Sequence, residues 1–244
     1  DRGMVALGWG GSVMLDPVFS VGDGLDGLRV AIAALALAAS VAYFGFMQLP
    51  RSAARTLAKT LCFSTLSFLP QTFLLAYPEP LAGLMALSLA LVLSALGDMF
   101  LALGEERRLF VAGLSSFLMA HVVYVAGFIP FIAAPSVEAL VVMLACGAAA
   151  LGLVAWLWPR LGGLRLPVLA YFGIIMVMVA GSLSVPMASP WLGAGAVIFA
   201  VSDSLIAARK FMSPFPFANE LVWGTYVVAQ FLITASMLEI LLPG

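Results

Sequence analysis

Two carboxylates lie in stretches whose other side chains suit hydrocarbon: Asp98 in LVLSALGDMFLAL and Asp203 in GAVIFAVSDSLIAA. An acid in the interior of a membrane helix costs about 2.5–3.5 kcal/mol on insertion scales, so such residues face the bundle or water and find partners. Two carboxylates held in one poorly solvated site tend to divide their roles, one protonated and one ionised. That division suits cleavage through an oxocarbenium-like state, as in glycoside hydrolysis, or activation of a water for direct attack. No nucleophile motif accompanies the acids: G-x-S-x-G, H-E-x-x-H and a Cys-His pairing are all missing from the sequence. A structural role would make Asp98 a hydrogen-bond acceptor within the bundle and Asp203 the partner of Lys210 or Lys59. Asp98, Asp203 and His121 are residue types that bind metals, but no ligand spacing argues for one, and no cofactor is implied.

The elements that must position these residues follow from composition. The chain has 244 residues, 64% hydrophobic and 9% charged, whereas soluble domains run near a quarter charged. The apolar residues fall in blocks of roughly 20, the length that spans a bilayer core at 1.5 Å per helical residue. This predicts an all-α polytopic membrane protein with eight transmembrane helices, at about 28–49, 54–76, 81–103, 109–132, 137–158, 166–186, 190–210 and 219–242. Residues 1–27 read as a loosely structured lead-in, Gly-rich, interrupted by Asp16-Pro17 and without the basic start of a signal peptide. Residues 28–244 form the membrane domain. Cys62 and Cys146 sit inside apolar blocks and read as small buried hydrophobes. A net charge of −1 gives no reason to expect nucleic acid as a partner.

Charge placement orients the spans. Arg51, Arg55 and Lys59 flank the first connection, Arg107 and Arg108 the third, Arg160 and Arg165 the fifth, Arg209 and Lys210 the seventh. The even-numbered connections carry no basic residue, so the positive-inside rule puts the odd connections in the cytoplasm and both termini outside it. Asp98 and Asp203 then lie at similar depth, toward the cytoplasmic ends of the third and seventh spans. His121 and Tyr124 come near mid-membrane, Tyr171 lies in the inner half of the sixth span, and Glu220, Tyr226 and Gln230 descend from the cytoplasmic face. Lys59 is near the inner end of the second. The outer halves, such as GLMALSLALV, are almost featureless. A polar cavity opening toward the cytoplasm or inner leaflet is the economical reading. The stretches SALGDMFLAL and FAVSDSLIAA also echo each other four spans apart, which hints at two four-helix halves.

In order along the chain, SALGDMFLAL, FVAGLSSFLMAHVVYVAGF, LPVLAYFGIIMVMVA, GAGAVIFAVSDSLIAARKF and YVVAQFLI resemble the signature blocks of the YhhN-like lysoplasmalogenase family, over roughly residues 50–236. Lys59, in LAKTLCFSTLSF, is similar to that family's Lys near the start of its second helix, although Thr60 stands where the family commonly has Pro. The resemblance implies an eight-helix hydrolase of the membrane, in a bacterium the inner one. Its substrate would be a single-chain ether phospholipid, with the vinyl-ether bond of a lysoplasmalogen cleaved to a fatty aldehyde and a glycerophospho-ethanolamine or -choline. Asp98 and Asp203 take the acid/base roles by this carry-over, and Lys59, His121, Tyr124, Tyr171, Ser202, Tyr226 and Gln230 line the site. Lys59 is expected to hold the phosphate and the outer half of the bundle to take the alkyl chain.

Other readings of buried acids compete. A proton-coupled or lipid transporter would use them equally well but needs access to both sides, which the featureless outer halves do not offer. A retinal-type receptor needs a mid-membrane Lys, and both Lys59 and Lys210 lie at inner ends. An intramembrane aspartyl protease would show Gly-x-Gly-Asp and Tyr-Asp where this chain has Ala95-Leu96-Gly97-Asp98 and Ser202-Asp203. A purely structural eight-helix protein is the remaining alternative.

Overall fold

The computed structural model describes residues 16–104, 106–186, 190–212 and 215–242. Among these the chain forms only helices and turns. A single turn α1 (Asp16–Phe19) precedes α2 (Asp26–Phe46), α3 (Ala53–Leu66), α4 (Leu81–Leu103), α5 (Arg107–Phe128), α6 (Val137–Leu157), α7 (Arg165–Leu183), α8 (Pro190–Phe211) and α9 (Ala218–Leu241). Seven of them, α2 and α4 to α9, are long and apolar enough to cross a membrane. The chain is an integral membrane protein, and the eight predicted spans correspond to α2 through α9 in order.

One span departs from its prediction. Residues 54–76 do not form one helix: α3 has 14 residues and stops at Leu66, and a 3₁₀ turn follows at Pro70–Phe73. Pro70 lacks the N–H that an α-helix would use and its ring clashes with the preceding turn. The hydroxyls of Ser64 and Ser67 donate to the carbonyls of Thr60 and Ser64, at 2.9 and 2.7 Å, and loosen the last turn further. The ends of α5 and α6 also tighten into 3₁₀ turns, at Ile129–Phe131 and Trp158–Arg160, each containing a proline.

Consecutive helices pack in two runs, α2 to α5 and α6 to α9, and the runs meet where α5 touches α7 and α4 touches α9. Phe63, Phe73, Leu84, Leu91, Phe128, Ile175, Met178, Phe199 and Trp223 are fully buried between them. Helix α6 lies outermost, with only Leu157 buried along its length, and shows Leu140, Val141, Leu144 and Leu151 on the surface, a face suited to lipid. Both cysteines are free, Cys62 buried and Cys146 half-buried. Gly97 answers a steric need: a Cβ there would lie 2.6 Å from the Phe117 ring, so its bare backbone lets α5 close on α4. Gly97→Ala is therefore expected to push α5 away and to cost about 1–3 kcal/mol, read as a lower unfolding midpoint in detergent.

At the other end of the bundle, Arg29 is fully buried and ties the entry of α2 to the second span. Its guanidinium donates to Asp23 at 2.7 and 2.5 Å, to Asp26 at 2.8 Å, and to the hydroxyl and carbonyl of Thr72 at 3.1 and 3.0 Å. It also lies 4.2 Å over the Phe73 ring. Of the expected lead-in, residues 1–15 are outside the described residues; from Asp16 on it holds α1 and this latch. The hydrogen bonds from Arg29 hold the Asp23 carboxyl down to about 2. Its contribution to stability is thus complete above the ordinary carboxylate range and is lost as pH falls through about 2. Arg29→Met leaves two acids beside an apolar turn and is expected to cost about 3 kcal/mol, again measured by thermal unfolding.

Candidate active site

Six helices converge on the two acids. Asp98 on α4 is 1% exposed, and its Oδ1 lies 3.0 Å from Nζ of Lys59 on α3. The Lys59 ammonium sits 5.8 Å from the ring centres of both Tyr43 and Trp223, an aromatic enclosure that favours a cation. Trp223 is fixed by its indole N–H, which donates to the Ser40 carbonyl at 3.2 Å. The Tyr226 hydroxyl on α9 stands beside Asp98. Gln230, one turn along α9, accepts from the Tyr124 hydroxyl at 2.5 Å and donates to the Tyr226 oxygen at 3.3 Å. With its oxygen already accepting, Tyr226 has its own proton free to turn toward Asp98.

Asp203 on α8 is 4% exposed and has neutral partners. Its Oδ2 accepts from the Tyr171 hydroxyl of α7 at 2.8 Å and lies 3.6 Å from Nε2 of His121 on α5. His121 Nδ1 is 2.5 Å from the Phe117 carbonyl. A carbonyl can only accept, which assigns a proton to Nδ1 and leaves the lone pair of neutral Nε2 facing the carboxyl. Those two groups are compatible when one proton sits between them, on Asp203 or on Nε2. The imidazole is held edge-on by Phe199 and Tyr171, at 4.7 and 5.6 Å. Asp98 therefore faces a cation, and Asp203 faces a hydroxyl and an imidazole.

The arrangement is crosswise. Each Asp takes one partner from its own run, Lys59 or Tyr171, and one from the last helix of the other run, Tyr226 or His121. Of the residues expected to line the site, Lys59, His121, Tyr171 and Tyr226 reach the acids, and Tyr124 and Gln230 support Tyr226 from behind. Ser202 does not reach them: its hydroxyl donates to the Val222 carbonyl at 2.9 Å and joins α8 to α9. Asp203 pairs with neither Lys59 nor Lys210, whose Nζ lies 4.9 Å over the Phe110 ring. Glu220 accepts from Gln48 at the rim.

Two cavities meet at this constellation. One, of about 480 Å³, is lined by Arg51, Arg55, Lys59, Arg209, Gln48 and Asn219 among others. The second is a narrow apolar pocket of about 30 Å³ lined by Phe110, Leu114, Phe117, Phe172 and Phe211, with Tyr171 and Asp203 at its polar end. Leu101 and Ile206 line both and form the wall between them. Sequence reasoning took the arginines only as markers of sidedness and missed that three of them face the space Lys59 opens on. It also expected an alkyl chain toward the opposite end of the bundle, where a separate cavity of about 870 Å³ is lined by Tyr77, Pro78, Phe131, Ile240 and Leu242; the apolar pocket that reaches Asp203 lies at the end rich in basic residues.

The model of the YhhN family matches residues 54–237. A lysoplasmalogenase of Mycobacterium bovis is 37% identical over 150 residues, which is 60% of this chain and 58% of the relative. Lysoplasmalogenase TMEM86A of Bos taurus is 34% identical over 177 residues, 68% of this chain and 69% of the relative. Lysoplasmalogenase TMEM86B of Homo sapiens is 36% identical over 156 residues, 63% and 64% of the two chains. The match thus spans less than two thirds of the mycobacterial relative's length. No solved structure matches the chain.

Proposed function

The chain belongs to the YhhN family, and from that premise we propose that it hydrolyses the vinyl-ether bond of a lysoplasmalogen, releasing a fatty aldehyde and a glycerophospho-ethanolamine or -choline. The observation that carries this reading is the meeting of a cationic cavity and an apolar pocket across one wall, with Asp203 lining the pocket and Lys59, the partner of Asp98, lining the cavity. A lysoplasmalogen has its scissile bond where a charged head joins a hydrocarbon chain, so head, bond and chain fit the three parts in order. Arg51, Arg55 and Arg209 face the phosphate; the alkenyl carbons next to the ether oxygen enter between Phe110, Phe172 and Phe211, which part to admit them.

Asp203 carries the proton of its neutral site and delivers it to the outer vinyl carbon, forming a C–H bond and an oxocarbenium ion. Tyr171 and His121 stabilise the carboxylate left behind. Asp98, kept ionised by Lys59, faces the cation and takes a proton from the water that bonds to the carbon next to oxygen. The hemiacetal then breaks its C–O bond to glycerol as its hydroxyl proton passes to the leaving oxygen, giving aldehyde and alcohol; Asp98 releases its proton to solvent and Asp203 takes one up, which restores both. One water is consumed and no redox change occurs. In this reading the site opens at the cytoplasmic leaflet of a bacterial inner membrane with both termini on the other side, consistent with nine of the eleven basic residues flanking odd connections.

The test is aldehyde release by purified protein from a lysoplasmenyl-ethanolamine, with the saturated ether of the same length and head beside it. Aldehyde from the vinyl ether alone supports the reading. A folded protein that releases none from either lipid overturns it.

A further inference from the structure

A glycerophospho head of either kind is a zwitterion, and its ammonium needs a partner of a sort that the basic cavity largely lacks. Arg51, Arg55, Lys59 and Arg209 line that cavity, and their nitrogens only donate. Two side-chain amides line it as well, Gln48 just after α2 and Asn219 in the first turn of α9. Their carbonyls are placed differently. Asn219 Oδ1 accepts from Arg209, which turns the NH₂ of that amide the other way. The Leu49 carbonyl next to Gln48 accepts from Arg55 at 2.9 Å.

Gln48 is held in the opposite sense. Its Nε2 donates to Oε1 of Glu220. A carboxylate can only accept, so the amide keeps its NH₂ on Glu220 and its carbonyl on the far side. Among the described residues no group donates to that carbonyl. Glu220 also sets a negative charge behind it, at the rim of a cavity whose other charges are positive. Aromatic rings are the usual receivers of a quaternary ammonium, but the two that line this cavity, Tyr43 and Trp223, already enclose the Lys59 ammonium. The mouth therefore offers an ammonium head a hydrogen-bond acceptor backed by an acid, and no further aromatic cage among the described residues. An ethanolamine ammonium brings N–H donors to such a site, whereas a choline trimethylammonium brings none.

We infer that Gln48 and Glu220 select an ethanolamine head over a choline one. Gln48 Oε1 accepts an N–H of the head while Arg51, Arg55 and Arg209 face its phosphate, and Glu220 keeps the Gln48 amide the right way round. Gln48 is thus a binding residue and Glu220 a positioning one. This inference rests on the vinyl-ether reading and narrows its substrate to one head group.

The test is the ratio of kcat/KM for lysoplasmenyl-ethanolamine and lysoplasmenyl-choline of the same chain length in the same detergent. The wild-type protein is expected to favour the ethanolamine lipid by about tenfold. Gln48→Met removes the acceptor and Glu220→Met lets the amide turn. Each should abolish the preference by raising KM for the ethanolamine lipid, with kcat and the choline lipid unaltered. A merely structural role for either residue would slow both lipids alike. Adding Gln48→Glu to Glu220→Met supplies an acceptor that needs no orienting and should restore the preference; failure of that rescue overturns the positioning role. Equal kcat/KM for the two lipids in the wild-type protein, a choline preference, or an ethanolamine preference that either single variant keeps overturns the assignment. No aldehyde from either lipid would sink the vinyl-ether reading instead. Calorimetric binding of the two saturated ethers then decides the selectivity: tighter binding of the ethanolamine form, lost in Gln48→Met, upholds it, and equal affinity ends it.

Discussion

Asp203→Asn is expected to slow aldehyde release by about three to four powers of ten while the protein folds and binds substrate as before. The amide oxygen still accepts from Tyr171, so packing among α5, α7 and α8 is kept. What it lacks is an acidic proton to place on carbon. Asp98→Asn should lose a comparable factor for a different reason, because the cation and the attacking water both lose their base. The two are told apart by deuterium: unreacted lipid recovered from Asp98→Asn in D₂O should show exchange, whereas lipid from Asp203→Asn should not. The measurement is a coupled aldehyde assay with mass analysis of the remaining substrate. Near-normal turnover in either variant removes that carboxylate from the mechanism.

Lys59→Met carries the second largest effect and separates two roles that the sequence left merged. The ammonium lies 3.0 Å from Asp98 within its aromatic enclosure, so its charge is committed to the carboxylate rather than to a phosphate. Removing one partner of a buried ion pair costs about 3–5 kcal/mol, because the other is left without compensation. Asp98 then has a strong reason to take up a proton and cease acting as a base. Turnover should fall by about 10²–10³-fold on vinyl ethers with and without a phosphate head. Arg55→Met should behave otherwise, raising KM several-fold for phosphorylated substrates and sparing a neutral alkenyl glycerol. Equal penalties on both substrates in both variants would return the phosphate to Lys59.

Much of this was legible in the chain and some was not, for physical reasons. Hydrocarbon blocks bounded by Pro, Gly and charge marked seven membrane-length helices within a few residues, because a bilayer demands length and apolarity and little else. The second span misled because its composition continues past Leu66 although Pro70 and two serines break its hydrogen bonds. Lone acids and a lone histidine were conspicuous against that background, and depth alone grouped them. Partners were harder. Which acid meets Lys59 depends on how helices face one another, and nothing in SALGDMFLAL or FAVSDSLIAA says which Asp will find a cation. Featureless halves do not say where a chain would fit, because leucine and phenylalanine fill space as readily as they line it: Leu84, Leu87, Phe128 and Leu238 are buried, while Tyr77, Phe131 and Ile240 line a cavity of about 870 Å³.

The crosswise partners of the two acids have a consequence for how the protein comes into being. A ribosome delivers the α2–α5 run first, with Asp98 and Lys59 in it but neither Asp203 nor Tyr226. The later run brings Asp203 and Tyr171 but finds its histidine only on the earlier one. On the proposed mechanism neither run owns a working acid and base. The proposed catalyst is a conjunction, silent during synthesis and insertion among the very lipids it would consume, and switched on by the docking of its halves.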